Sequence, residues 1–228
     1  MKIFKGTVIF WYCLILLTEA KASKNNGGVI WNFIFGDKAF TTNFNNYVEY
    51  THWGRKDCTP NSSEIVYVGY LGGGHFMQTG AGTNPLCLPE KPEYDERMVA
   101  NGSHRAEVYG AEYQTASDQY PQWNDVHDTD PACAVCLAKG RSASIMIPAK
   151  RTCPEGWTKE YEGLLMGGCT HHKATHEYLC VDGSPQSRDN SKMDKNGFVI
   201  YPAVGKCGSL KCPPYVDNHE LSCVVCTR

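Results

Sequence analysis

The feature that most constrains this 228-residue chain is a cysteine pattern written twice. Cys58, Cys87 and the pair Cys133-Ala134-Val135-Cys136 are followed by Cys153, Cys180 and the pair Cys223-Val224-Val225-Cys226, at offsets of 95, 93, 90 and 90 residues. The residues between them repeat as well. Arg55-Lys56-Asp57-Cys58 answers Arg151-Thr152-Cys153, Gly69-Tyr70-Leu71-Gly72-Gly73 answers Gly163-Leu164-Leu165-Met166-Gly167, and Val126 and Val216 each stand seven residues before their pair. The pattern predicts two tandem homologous modules, 51–140 and 141–228. At roughly 80 to 90 residues each, a hydrophobic core alone is marginal and covalent staples help. Four cysteines allow three pairings per module, and the duplication requires only that both modules use the same one. Cys207 and Cys212 lie outside the shared set and fit a local loop bridge, which leaves Cys169 without a partner.

The start of the chain indicates the compartment. Lys2 and Lys5 precede an apolar run from Thr7 to Leu17, and Ala20-Lys21-Ala22 offers a small-residue cleavage site, so residues 1–22 read as a signal peptide. About a dozen apolar residues fall short of the roughly 20 that a membrane span requires. Cleavage would remove Cys13 and leave eleven cysteines in an oxidising compartment, an odd number. The formal net charge would move from -2 to -4, which gives no electrostatic reason to expect nucleic acid. Asn61-Ser62-Ser63 and Asn101-Gly102-Ser103 are glycosylation sequons, expected on surface turns of an exported protein.

The chain reads as all-β. The runs 64–70, 108–113, 142–147 and 197–201 are short, β-branched or aromatic, and bounded by Gly, Pro or Asn. No stretch holds a helical apolar period for three turns. Residues 23–50 are expected to form an edge strand or a flexible arm, and the polar run 182–196 an exposed loop.

The junction Cys133-Ala134-Val135-Cys136, the run ending Ile145-Met146-Ile147-Pro148, Cys153-Pro154-Glu155-Gly156-Trp157 and Gly163-Leu164-Leu165-Met166 together resemble the junction between the two C4 repeats of the type IV collagen C-terminal non-collagenous domain. His52-Trp53-Gly54-Arg55, Gly72-Gly73-Gly74-His75, Leu86-Cys87-Leu88-Pro89, Cys180-Val181-Asp182-Gly183 and the segment Cys207 to Tyr215 resemble the C-terminal region of invertebrate short-chain, spongin-like collagens. The resemblance covers residues 50–228 and implies disulfide-stapled β modules in an extracellular matrix protein. It also implies a nested pairing: Cys58 with Cys136, Cys87 with Cys133, Cys153 with Cys226 and Cys180 with Cys223, with Cys207 to Cys212 as the local clip. The chain departs from that family in having no Gly-X-Y segment.

Other chemistry is sparse. Cys169, His171, His172 and His176 carry metal-ligating side chains, but no helix is expected to align them, so a solvated loop is the preferred reading and no metal is assigned. The two Cys-x-x-Cys pairs stand 90 residues apart rather than the roughly 15 to 20 of a zinc ribbon, which favours disulfides. Asp125, His127, Asp128 and Asp130 form an acidic loop answered by Asp217, His219 and Glu220, groups of a kind that hold calcium weakly or meet a calcium mineral face. Trp123-Asn124-Asp125 and Cys153-Pro154-Glu155-Gly156-Trp157 resemble pieces of C-type lectin domains, in reversed order. No nucleophile–base motif or phosphate-binding loop is present, so no enzyme and no cofactor is expected.

Two functional classes follow. The first is a secreted structural matrix protein, for instance of a shell or skeletal organic matrix, meeting matrix proteins, glycans or calcium mineral and linking chains through Cys169. The second is a secreted recognition protein that binds glycans or microbial surfaces.

Overall fold

The computed structural model describes residues 19–25, 28–35, 38–97, 104–115, 123–189 and 192–228. The thirteen named elements among them are all strands. Residues 1–18 of the expected leader lie outside the described residues, and 19–22 open the first strand. Strands β1 (Glu19–Asn25), β2 (Gly28–Phe35) and β3 (Lys38–Asn45) form an antiparallel meander. The expected edge strand or flexible arm over 23–50 is therefore a three-stranded sheet plus the start of β4. Its registers run from Glu19↔Ile34 to Asn25↔Gly28 and from Gly28↔Asn45 to Phe35↔Lys38.

The other ten strands form one sheet. They are β4 (Tyr47–Trp53), β5 (Ser63–Gly73), β6 (Leu86–Pro89), β7 (Tyr109–Tyr113), β8 (Ala132–Lys139), β9 (Ser144–Pro148), β10 (Thr158–Gly167), β11 (Leu179–Asp182), β12 (Phe198–Pro202) and β13 (Ser222–Thr227). Seven of them close a ring in the order β11, β4, β8, β5, β7, β12, β10 and back to β11. The remaining three hang on this barrel, β6 on β5, β13 on β10, and β9 on β13.

The duplication in the cysteines extends to strand pairing. In the first half β8 pairs with β4 and β5, and β5 pairs with β6 and β7. In the second, β13 pairs with β9 and β10, and β10 pairs with β11 and β12. The registers match residue for residue: Gly69↔Cys133 answers Gly163↔Cys223, and Tyr50↔Cys136 answers Ile145↔Cys226. A bulge between Ile65 and Tyr67 recurs between Lys159 and Tyr161. Bulges are sites of local twist.

The two halves nevertheless do not stand as separate bodies. The barrel closes through a parallel pairing of β7 with β12 and of β4 with β11, each joining one half to the other. Both buried clusters mix the halves too. Tyr50, Cys136 and Ala138 pack with Tyr161, Leu165 and Val225, while Leu71, Tyr113 and Trp123 pack with Met166, Val181 and Phe198.

Five disulfides fasten this arrangement: Cys58–Cys136, Cys87–Cys133, Cys153–Cys226, Cys180–Cys223 and Cys207–Cys212. Residues three apart on a strand face opposite sides, so each Cys-x-x-Cys sends one bridge to β6 or β11 and the other to the loop before β5 or β10. The four long bridges span 78, 46, 73 and 43 residues. In the loop-entropy account each stabilises by about 4 kcal/mol. Five disulfides fit an oxidising, extracellular setting.

Candidate functional site

One cleft lies beside β6, where the first half faces solvent. It encloses about 510 Å³ and is lined by Tyr70, Leu88, Pro89, Tyr94, Asp130 and Lys195 among others. Tyr70 comes from β5 and Leu88 and Pro89 from β6, whose pairing Tyr70↔Leu88 sets the floor. Tyr94 stands 84% exposed at the rim. Gly69 allows the floor to form: a Cβ there would lie 1.9 Å from the carbonyl oxygen of Leu88. Arg188 lies over the Tyr70 ring, 5.5 Å from its centroid, and pairs with Glu90.

The polar end is charged. Lys195 Nζ approaches Asp130 Oδ2 to 3.6 Å. The Asp130 carboxyl is held above the usual carboxylate range, first by burial and next by the negative charge of Asp189, with Lys195 pulling the other way. Two tyrosine rings beside acceptors and cations suit a ligand with one flat apolar face and several hydroxyls.

The histidine segment takes a different form. The stretch 168–178 crosses to the first half, where Ala174 N donates to Phe76 O at 3.0 Å and Glu177 N to Thr83 O at 3.0 Å. His172 packs against Phe76 and Tyr201, and His176 against Phe198. His172 Nδ1 and both ring nitrogens of His176 are buried without a hydrogen-bond partner. Burial first, then a neighbouring histidine, lowers the pKa of each, while the Thr175 carbonyl opposes this weakly at His176. His171 is exposed and contacts Cys169 Sγ at 3.7 Å through Nδ1. The structure does not bring these three histidines and Cys169 to one point. Among the described residues only Glu112, Asp128 and Asp194 place three ligand-type atoms within 4.8 Å of one another. Glu112 is buried and already accepts from Lys195 N, Asn196 N and Gln114 Nε2, so it anchors the turn before β12.

The acidic loop 125–130 is a tight turn rather than an open cradle. Asp128 has φ 57° and sits beside His127, whose Nδ1 accepts from Thr115 N at 3.1 Å. Trp123 of the lectin-like triplet is a core residue packed edge-on to Tyr113. Asp217 caps the counterpart turn by accepting from Cys207 N, with Lys206 near its other oxygen, while His219 and Glu220 flank it. Cys153-Pro154-Glu155-Gly156-Trp157 is a turn closed by Trp157 N to Pro154 O, its indole under the Arg228 guanidinium. Asn61 sits exposed on a turn with φ 66°, open to a glycan, and Asn101 lies outside the described residues. Among the described residues Cys169 is the one free cysteine.

Sequence reasoning used His52 only as part of a motif, and the structure gives it a role. His52 is buried, stacks on Tyr161 at 4.1 Å, and bonds Asp57 O through Nδ1 and Asp182 Oδ2 through Nε2, both at 2.8 Å. The backbone carbonyl of Asp57 and the side chain of Asp182 thus hold the two ring nitrogens, and the ring ties β4 to β11. A separation of 130 residues hid this contact from any local pattern.

Among the described residues no helix is long and apolar enough to cross a membrane. No protein-family model matches the chain, and no solved structure matches it significantly.

Proposed function

We propose that this chain is a secreted structural protein of an extracellular matrix, related to the C4-like domains it resembles, that acts through its surfaces and cross-links rather than by turnover. The observation that carries this reading is the disulfide frame. All ten cysteines of the repeats and the clip are bridged, and the four long bridges repeat one nested connection in both halves of the barrel. Such a frame resists unfolding in an oxidising exterior, where no chaperone renews the protein. Apolar side chains left exposed on β5 and β9, among them Ile65, Val66, Ile145 and Met146, add surface for association.

Antibody localisation in the producing tissue, with stepwise extraction, tests it. Protein deposited between cells and released only by denaturant or reductant agrees with the proposal. A reduced cytosolic protein overturns it.

The cleft beside Tyr70 and Tyr94 favours a second reading, a secreted recognition protein for glycans. A glycan array probed with the wild type and Tyr94→Ala separates the two. Ring-dependent binding supports recognition, and its absence leaves the structural reading.

A further inference from the structure

The segment that leaves β10, crosses to the first half and returns to β11 holds polar atoms that the protein does not satisfy. His172 Nδ1 and both ring nitrogens of His176 are three of the six buried side-chain nitrogen or oxygen atoms without a hydrogen-bond partner among the described residues. Native folds leave few such atoms, and each calls for a partner, often a water or an ion. Phe76 and Phe198, on which the two rings pack, offer neither donor nor acceptor. A neutral imidazole carries one bare nitrogen, and such a nitrogen, shut away from water, is a ready ligand for zinc.

The other donors of the segment stand beside these rings. Cys169 Sγ lies 3.7 Å from His171 Nδ1. Two ligands of one tetrahedral zinc, with Zn–S of about 2.3 Å and Zn–N of about 2.0 to 2.1 Å, lie about 3.6 Å apart. The pair therefore already has the separation that a shared cation requires. The turn carrying it is closed by His172 N donating to Cys169 O at 3.1 Å, which holds His172 next to the thiol. His176 lies over the start of the same turn, since a Cβ at Gly168 would meet its Cδ2 at 2.9 Å and its Nε2 at 3.7 Å. Tyr201 joins the two sides. Its ring packs edge-on against His172, and its hydroxyl titrates above the usual range, first through burial and next through the charge of Cys169.

The segment can adjust at this end. Gly168 leads into the turn, and Thr170, His171 and Lys173 are exposed. Further along, the backbone is pinned, with Ala174 N donating to Phe76 O and Glu177 N to Thr83 O. In the metal-free chain only Cys169 and His171 stand at ligand spacing, and the two orphaned rings reach them through side-chain rotation and a small movement of the turn.

We propose that the segment 169–176 binds a zinc-class divalent cation, with the Cys169 thiolate and His171 Nδ1 as its first two ligands and the imidazoles of His172 and His176 drawn in to complete it. One thiolate with imidazoles suits zinc or cobalt rather than calcium or magnesium. The thiol releases its proton to solvent on binding, and no electron moves. The cation fastens the crossing between the halves at the end that the backbone bonds leave loose. It also gives Cys169, the one free cysteine among the described residues, a role within its own chain. The inference rests on neither the structural nor the recognition reading, because binding is measured on the purified chain.

The test uses the whole chain with its disulfides intact and Cys169 confirmed as reduced by thiol titration. Cobalt(II) is the probe, because a thiolate ligand adds a near-ultraviolet charge-transfer band that carboxylates do not give. A cation held by Glu112, Asp128 and Asp194 is thereby told apart. The wild type gives the band with equimolar cobalt and loses it when zinc is added. Cys169→Ser abolishes the band. His171→Ala, at an exposed position that leaves the fold intact, and His176→Phe each weaken zinc binding about tenfold or more. Zinc shields Cys169 from alkylation in the wild type and fails to do so in His171→Ala. The proposal is overturned if the reduced wild type shows no band, if zinc binds Cys169→Ser as tightly as wild type, or if neither histidine variant weakens binding.

Discussion

Gly163→Ala is a demanding test of the barrel. An ideal Cβ at Gly163 would lie 1.8 Å from the carbonyl oxygen of Val181 and 2.7 Å from Gly183 N. The first contact falls short of ordinary van der Waals separation by roughly 1.5 Å. Both atoms are backbone, so no rotamer relieves them and β11 must move away from β10. Four register pairs, Gly163↔Asp182 to Met166↔Leu179, are then at risk. At about 1 kcal/mol per hydrogen bond, with overpacking added, the cost is about 3 to 5 kcal/mol. Two further glycines calibrate this figure. Gly69→Ala meets Leu88 O at 1.9 Å, but β6 has solvent beyond it and can shift, so about 1 to 3 kcal/mol is expected. Gly110 in β7 has nothing within 4 Å of its Cβ position, and Gly110→Ala should fall within about 1 kcal/mol of wild type. Guanidinium unfolding with intact disulfides reads all three. The reasoning fails if Gly163→Ala lies within about 0.5 kcal/mol of wild type or if Gly110→Ala costs as much.

Three other outcomes follow from the same contacts. Tyr161→Phe removes a buried hydroxyl that serves Thr51 O and Cys180 O and should cost about 1 to 3 kcal/mol, whereas Tyr67→Phe, at a half-exposed position, should cost less than about 1, both read by denaturant midpoint. Removing Cys180–Cys223 as a double alanine variant should cost about 4 kcal/mol in the entropic account, and removing the five-residue clip Cys207–Cys212 about 2, seen as unequal losses in the same assay. The histidine segment should loosen in acid. Partial burial, and next a neighbouring histidine, hold the pKa of His172 and His176 below the ordinary imidazole value, so opening the segment in acid takes up protons. Its stability is complete above about pH 6.5 and declines as pH falls through the lowered values. Exchange protection of the Ala174 and Glu177 amides should drop between neutral and mildly acid pH and become flat in the His172→Phe, His176→Phe double variant. A flat wild-type profile contradicts this account.

Much of the fold is legible in the residues themselves because its determinants are local or periodic. Alternating β-branched and aromatic runs mark β5, β7, β9 and β12, and Gly-rich ends mark where they stop. The repeated cysteines announce a duplicated frame, since two copies of one sequence obey the same packing chemistry. The meander of 19–45 was less legible: an Asn-rich, aromatic stretch offers no contrast between a solvated arm and a sheet whose strands pair only with each other.

What the linear order does not contain is how the two copies meet. The sequence determined two sets of five strands with common pairings, and the tertiary structure decided that they share one barrel through β7 with β12 and β4 with β11. The contact of β4 with β11 rests on His52 meeting Asp182 and Tyr161 across more than a hundred residues, a coincidence of geometry rather than of spacing. The tertiary structure also decided that near-identical partners part ways. Tyr161 is sealed by β4 while Tyr67 faces solvent, because one chain supplies a single β4 for two equivalent edges, and only folding determines which edge it covers.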